Sequence, residues 1–310
     1  MGNQVDWLTL AGSAVFYVIV LVTGFIAAKV AMAKGSKTST DTAANQVMVG
    51  YRNFGWFVSI ATISATWVGA TAISGGAERT YTHGIISGCV LSYSLAFNLL
   101  LGGFLIAKKM RTEKYVTVMD PFQNKCGKKV GVLYVITAFV AELCCVGASL
   151  TALGATLAVV ANIKSFISVL ISGFIAISYT MFGGIFSVAY TDIVQLSFVL
   201  VGALIAIPFA ATNQAIQPKN MTEIFLGDTP YTEYTTIVTE MDTFFQQTLG
   251  CMVWQCYCQR ILACKSTKVA VIGSYISFVV TLFLSTPSII IGAIASSIGK
   301  LGLSFIFLFI

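Results

Sequence analysis

Polar punctuation between long apolar runs constrains this chain more than any motif does. Runs close to the ~20 residues that a helix needs to cross hydrocarbon recur at roughly 8–28, 56–73, 85–107, 132–160, 166–182, 193–211, 244–262 and 269–298. Hydrocarbon offers backbone N–H and C=O groups no partner, so such runs fold as helices that satisfy their own backbone. Charged residues make up 10% of the 310 and hydrophobic residues 57%, against about 25% charged in soluble domains. These figures predict an all-α integral membrane protein with about eight transmembrane helices. One membrane domain spans 1–310, and 212–241 is its only sizeable soluble loop. Gly, Ser, Thr and Cys run through several spans, as expected where helices pack on one another.

Charge gives an orientation. The segments after the first, third, fifth and seventh spans carry fourteen Lys and Arg residues, from Lys29 to Lys268, whereas the opposite side has only Arg79, Lys164, Lys219 and Lys300. By the positive-inside rule the N-terminus is outside. The acidic loop with Glu223, Asp228, Glu233 and Glu240 is then extracellular, together with the sequon at Asn220, a candidate glycosylation site. The +6 net charge is a topology signal and calls for no nucleic acid. The first span has no basic stretch before it and lysines after it, so it reads as a retained helix and not a leader. The eight cysteines lie in spans or on the inside, which argues against a disulfide framework, and no C-x-x-C pairing suggests zinc.

Several residues stand out against the apolar background. The second span holds Ser59, Thr62, Ser64 and Thr66, then Gly69, Gly75 and Gly76 around Trp67. A helix interrupted at the bilayer midplane frees carbonyls that can ligate sodium; packing of small residues is the plainer account. Trp67 and Trp254 lie within spans, where lipid-facing tryptophans are disfavoured. Their faces suit a quaternary ammonium, worth about 2 kcal/mol or more per desolvated ring. Glu142 lies inside the fourth span with no basic residue expected at its depth, and Asp242 lies where the seventh begins, as an N-cap or as a cation-attracting gate. Tyr115–Gln123 is expected to form a short interfacial helix. With His83 alone in a loop and no nucleophile–base pairing, the sequence argues against an enzyme.

The stretch 179–195 reads Y-T-x-x-G-G-x-x-S-V-x-x-T-D-x-x-Q, ending around Asp192, and this pattern resembles the signature of sodium/solute symporters. Ala65–Gly69, Tyr115–Gln123, Thr151–Thr156, Ser187–Gln195 and Trp254–Arg260 are similar to the choline-transporting branch of that family. The resemblance runs from about Phe16 to Ile298 and corresponds to about the N-terminal half of a member. It implies a LeuT-like bundle of two inverted five-helix repeats behind one extra helix. The first repeat would be complete here and the second begun. It further implies sodium-coupled choline uptake by alternating access at the plasma membrane, with the presynaptic membrane and synaptic vesicles as neuronal settings. Sodium is then the coupling ion, chloride an open second ion, and no organic cofactor is expected. Trp67 and Trp254 match choline-facing tryptophans, with Tyr93 the nearest match to a third substrate residue. Ser59 and Thr62 mark half a sodium site, Asp192 its inner exit, and Asp242 and Glu142 a gate or ion path. Cys145 aligns where the family has another tryptophan, which leaves a different small organic cation open as substrate. Gly250–Val253 lacks the family's Gly-Gly-Ile-Pro, so a second helix break is weakly encoded. With one complete repeat, the chain is expected not to transport alone. The alternative is a non-transporting form that associates with a full-length transporter and modulates it.

Overall fold

The computed structural model describes residues 7–34, 48–212, 221–227 and 234–297. Among them every extended element is a helix: α1 (Trp7–Lys34), α2 (Trp56–Trp67), α3 (Gly76–His83), α4 (Ile85–Gly102), α5 (Lys108–Thr112), α6 (Asp120–Cys126), α7 (Lys128–Ala161), α8 (Ser165–Ala211), α9 (Met221–Leu226), α10 (Tyr234–Phe245), α11 (Gln255–Ala263) and α12 (Thr267–Ser296). Five helices are long and apolar enough to cross a membrane by themselves, and α2 with the segment Thr71–His83 makes a sixth, bent by 49°. The chain is therefore a multi-pass, all-helical membrane protein.

This span count is lower than the eight apolar runs, for two local reasons. The fifth and sixth runs make the two arms of α8, which meet at the non-helical Gly184 (φ 52°, ψ −147°); the sixth, Gly184–Ala211, is long enough to cross, whereas the Ser165–Ser178 arm is apolar but short. The seventh run is cut in two. A π turn (Gln246–Gly250) and a 3₁₀ turn (Cys251–Val253) lead to Trp254, which is extended at φ −72° and ψ 138°, and α11 starts after it. The second break thus forms without the proline expected to encode it. The helix before it starts at Tyr234, inside the predicted loop, so Asp242 is mid-helix and exposed and caps nothing.

Two interrupted helices, α2–α3 and α10–α11, are packed with α4 and α12 into the buried core. Trp67, Ile63, Leu99, Tyr257, Ile261 and Leu262 meet there. The first break follows from ordinary backbone preferences. Gly69 and a π turn at Thr71–Gly75 follow α2, and Val68 (φ −84°, ψ 56°) ends its hydrogen-bond ladder. In contrast, α7 presents apolar residues on most faces, with Leu133, Phe139 and Leu143 all exposed, as suits contact with lipid or with further helices.

The end of the molecule that carries Cys264 is closed by backbone pairing. Phe54 N donates to Ala263 O (3.0 Å) and Lys265 N to Phe54 O (2.8 Å). Arg52 donates to Leu262 O, Lys114 O and Tyr115 O, and Arg111 to Cys264 O and Lys265 O. Two guanidiniums therefore serve the carbonyls around the end of α11, where helix carbonyls lack donors and carry partial negative charge. The segment read as an interfacial helix is mainly turns leading into α6. Asp120 accepts from Val116 N, Thr117 N and Thr117 Oγ1, and Gln255 Oε1 accepts from Val118 N.

Candidate functional site

The two breaks bring Trp67 and Trp254 together, with ring centroids 5.4 Å apart and planes inclined by 56°. Tyr257, one turn along α11, lies 6.5 Å from Trp67. Trp67 is buried, whereas Trp254 is partly open. Trp254 Nε1 donates to Glu142 Oε2 at 2.5 Å, and Cys256 Sγ lies 3.5 Å from Glu142 Oε1. The partner of the intramembrane glutamate is thus an indole N–H and not a basic side chain. This bond fixes the ring and leaves the carboxyl group beside it. Cys145 lies one turn beyond Glu142 on α7, with Ser149 and Thr156 further along the same face. Ser149, Leu153 and Thr156 line a cavity of about 230 Å³ whose other wall is Gly69, Ala70, Ile73 and Ser74, at the first helix break. Aromatic faces, a carboxylate and a small cavity at two helix breaks make an arrangement suited to a small organic cation.

A second cluster is built on α8. Asp192 accepts from Thr62 Oγ1 and pairs with Arg260 NH2 at 3.1 Å. Arg260 Nε also donates to Thr62 O (3.0 Å) and Thr62 Oγ1 (3.1 Å), tying α11 to α2 and α8. Asp192 and Arg260 are both buried. Arg260 was counted among inside loop charges on sequence; the early end of the seventh run's first helix shifts it into the core instead. Of the signature stretch, Ser187 Oγ donates to Gly24 O of α1 and Gly184 supplies the kink.

Other expected site residues fall elsewhere. Ser59 is fully buried near Thr62, and its hydroxyl donates to Phe54 O. Tyr93 bonds Thr286 Oγ1 at 3.1 Å and lines a separate, largely apolar cavity of about 470 Å³ with Ile85, Cys89, Ile289 and Ile290. Asn220 lies outside the described residues. Unforeseen from sequence was a polar knot at the opposite end of the bundle. Arg79 pairs with Glu240 (3.1 Å), and Ser87 Oγ donates to the same carboxylate oxygen (2.5 Å). Arg79 also donates to Thr243 Oγ1. Arg79 is the only strongly basic residue between Arg52 and Lys108, a signal that could have marked it for pairing.

Interrupted helices around a buried site are a feature of secondary transporters, and comparison with known proteins supplies the family. Residues 47–301 match the sodium:solute symporter family, to which the chain belongs. It is 38% identical over 293 residues to the human high affinity choline transporter 1, with 91% of this chain and 49% of that protein aligned. The Caenorhabditis elegans high-affinity choline transporter 1 is 37% identical, with 94% of this chain and 50% of that protein aligned. A sodium/proline symporter of Staphylococcus aureus (strain JH9) is 25% identical over 221 residues, with 68% of this chain and 41% of that protein aligned. The chain spans about half the length of the choline transporters it matches. Family membership agrees with the resemblance drawn from the sequence, and the relatives are transporters, not enzymes.

Proposed function

We propose that this chain carries the substrate site of a sodium-coupled choline importer that works by alternating access at the plasma membrane. The observation that carries the reading is the Trp67–Trp254 pair, with the Glu142 carboxylate bonded to one of its rings. Choline is a trimethylammonium cation, and desolvated indole faces attract it without needing a hydrogen-bond donor. Choline transporters among the relatives support that substrate. Asp192, Thr62 and Arg260 form the clamp that closes the site toward the cytoplasm, in an orientation with the N-terminus outside. Asp242, exposed near the other mouth, gathers cations, and 212–241 faces outward. In the inverted-repeat reading, α2 to α8 form the first repeat and α10 to α12 open the second.

Purified chain in lipid nanodiscs should bind radiolabelled choline more tightly in sodium than in potassium. Exchange of chloride for gluconate tests the companion ion in the same assay. Trp254→Ala should weaken binding about thirtyfold, the equivalent of one cation–π contact of about 2 kcal/mol. Equal binding by Trp254→Ala and the parent chain would remove the indole pair from the substrate site.

A further inference from the structure

We infer that Asn98 is a positioning residue: its amide holds the second helix break open at Thr248 and so sets the Trp254 ring against Trp67. The inference rests on the substrate-site reading above and says what fixes the geometry of that site. Asn98 lies on α4, which packs along the π turn Gln246–Gly250 and the 3₁₀ turn Cys251–Val253. Its Nδ2 donates to Thr248 O (3.0 Å), inside the π turn, and Thr248 Oγ1 donates back to Ser94 O of α4 (3.2 Å). All three residues are buried. A carbonyl can only accept, so the first of these bonds also fixes which end of the amide faces the turn.

A side chain inserted into a helix's hydrogen-bond ladder breaks it sharply, as proline does. Cys251, Met252 and Val253 include neither proline nor glycine, and the neighbouring helix supplies what they lack. Burial of α11 sets the path of the chain after Trp254; the Asn98–Thr248 pair sets where the helix before it gives way.

Two further observations separate this lock from ordinary packing. The Oδ1 of Asn98 is buried with no hydrogen-bond partner among the described residues, while Leu95 and Leu99 of the same helix join the apolar core around Trp67. An unpaired buried oxygen is destabilising, so an amide kept here is kept for its N–H. The first break is held by the same helix in the same manner. Ser92 Oγ donates to Ala72 O (3.4 Å), in the π turn Thr71–Gly75, and Ser288 Oγ of α12 reaches that carbonyl too (2.9 Å). Helix α4 thus engages one carbonyl in the π turn of each interrupted helix, and the two tryptophans that meet stand beside those turns.

The tryptophan pair gives the test a readout of its own. With Trp7→Phe and Trp56→Phe, the chain in lipid nanodiscs keeps two indoles close enough for an exciton couplet in circular dichroism, which Trp254→Phe should abolish. Asn98→Leu, nearly the same in volume, should collapse the couplet and weaken radiolabelled choline binding about tenfold, the worth of one buried hydrogen bond. Thr248→Val removes only the return bond and should shift both in the same direction by less. Val253→Pro should change neither in the parent chain and restore both in Asn98→Leu, whereas a proline at the break would not mend a variant that is merely unstable. Couplet and affinity both unchanged by Asn98→Leu overturn the lock, as does a loss that Val253→Pro leaves unmended. A couplet lost with choline affinity intact overturns the claim that the lock serves the substrate site. A couplet lost in Asn98→Leu and restored by Val253→Pro, with no choline bound by any form, upholds the lock and sinks the substrate reading.

Discussion

Asp192 is paired in the core with Arg260 and accepts from Thr62. Neutralising one member of such a pair leaves the other buried and unpaired, which costs about 3–5 kcal/mol, whereas removing both is far milder. Asp192→Asn should therefore lower the melting temperature in nanodiscs sharply, and Asp192→Asn with Arg260→Gln should recover most of the loss. Additive losses in the double variant would mean that the two groups do not act as a pair. Asp192 itself was legible: a carboxylate among apolar runs draws notice in any sequence. Its partner was not, because Arg260 follows a long apolar run and counts as a loop charge until the break at Trp254 shortens the helix. Glu142 tells the same story. Its depth was readable, but its indole partner on a distant helix depends on where two chain breaks meet.

At the scale of elements, the breaks that assemble the candidate site are unevenly encoded. The first is written in Gly69, Gly75 and Gly76. The second, before Trp254, has Cys, Met and Val where a proline was expected, and forms because packing overrides weak local preference: α11 is buried along Tyr257–Ala263 and joined to Phe54 by backbone bonds. The third, at Gly184, lies inside the most informative stretch of the sequence, and two helical arms, Ser165–Ser178 and Gly184–Ala211, meet across it. Gly184 has a backbone conformation open essentially only to glycine, costing other residues about 1–3 kcal/mol. Gly184→Ala should lower the melting temperature and reduce choline binding, because Asp192 stands two turns beyond the kink. Ala at Gly202, in the same helix with open space around it, should do neither. Equal effects at the two glycines would show that the kink is not what matters.

The whole molecule is held shut at both ends, by different chemistry. Around Cys264, Phe54 pairs with the backbone after α11, Arg52 and Arg111 hold carbonyls, and Asp192–Arg260 bridges three helices. At the other end Arg79, Ser87, Glu240 and Thr243 join α3, α4 and α10. Each knot links one interrupted helix to the other, so opening toward either side must loosen one knot while the other holds. A two-state equilibrium shifts about tenfold for each 1.4 kcal/mol removed from one side, which is within the worth of a single charged hydrogen bond. Cys89, on the wall of the cavity near Tyr93, and Cys264, buried beside Phe54, are natural reporters of the two ends. Glu240→Gln should speed maleimide labelling of Cys89 about tenfold and leave Cys264 protected. Arg260→Gln should do the reverse. The remaining cysteines are replaced beforehand so that each rate is read from one thiol. Faster labelling of both reporters by either variant would indicate general loosening and would refute two independent closures. The opposed response is what the proposed alternating access requires, because a cation bound beside the Trp67–Trp254 pair would leave only through the end whose knot has given way.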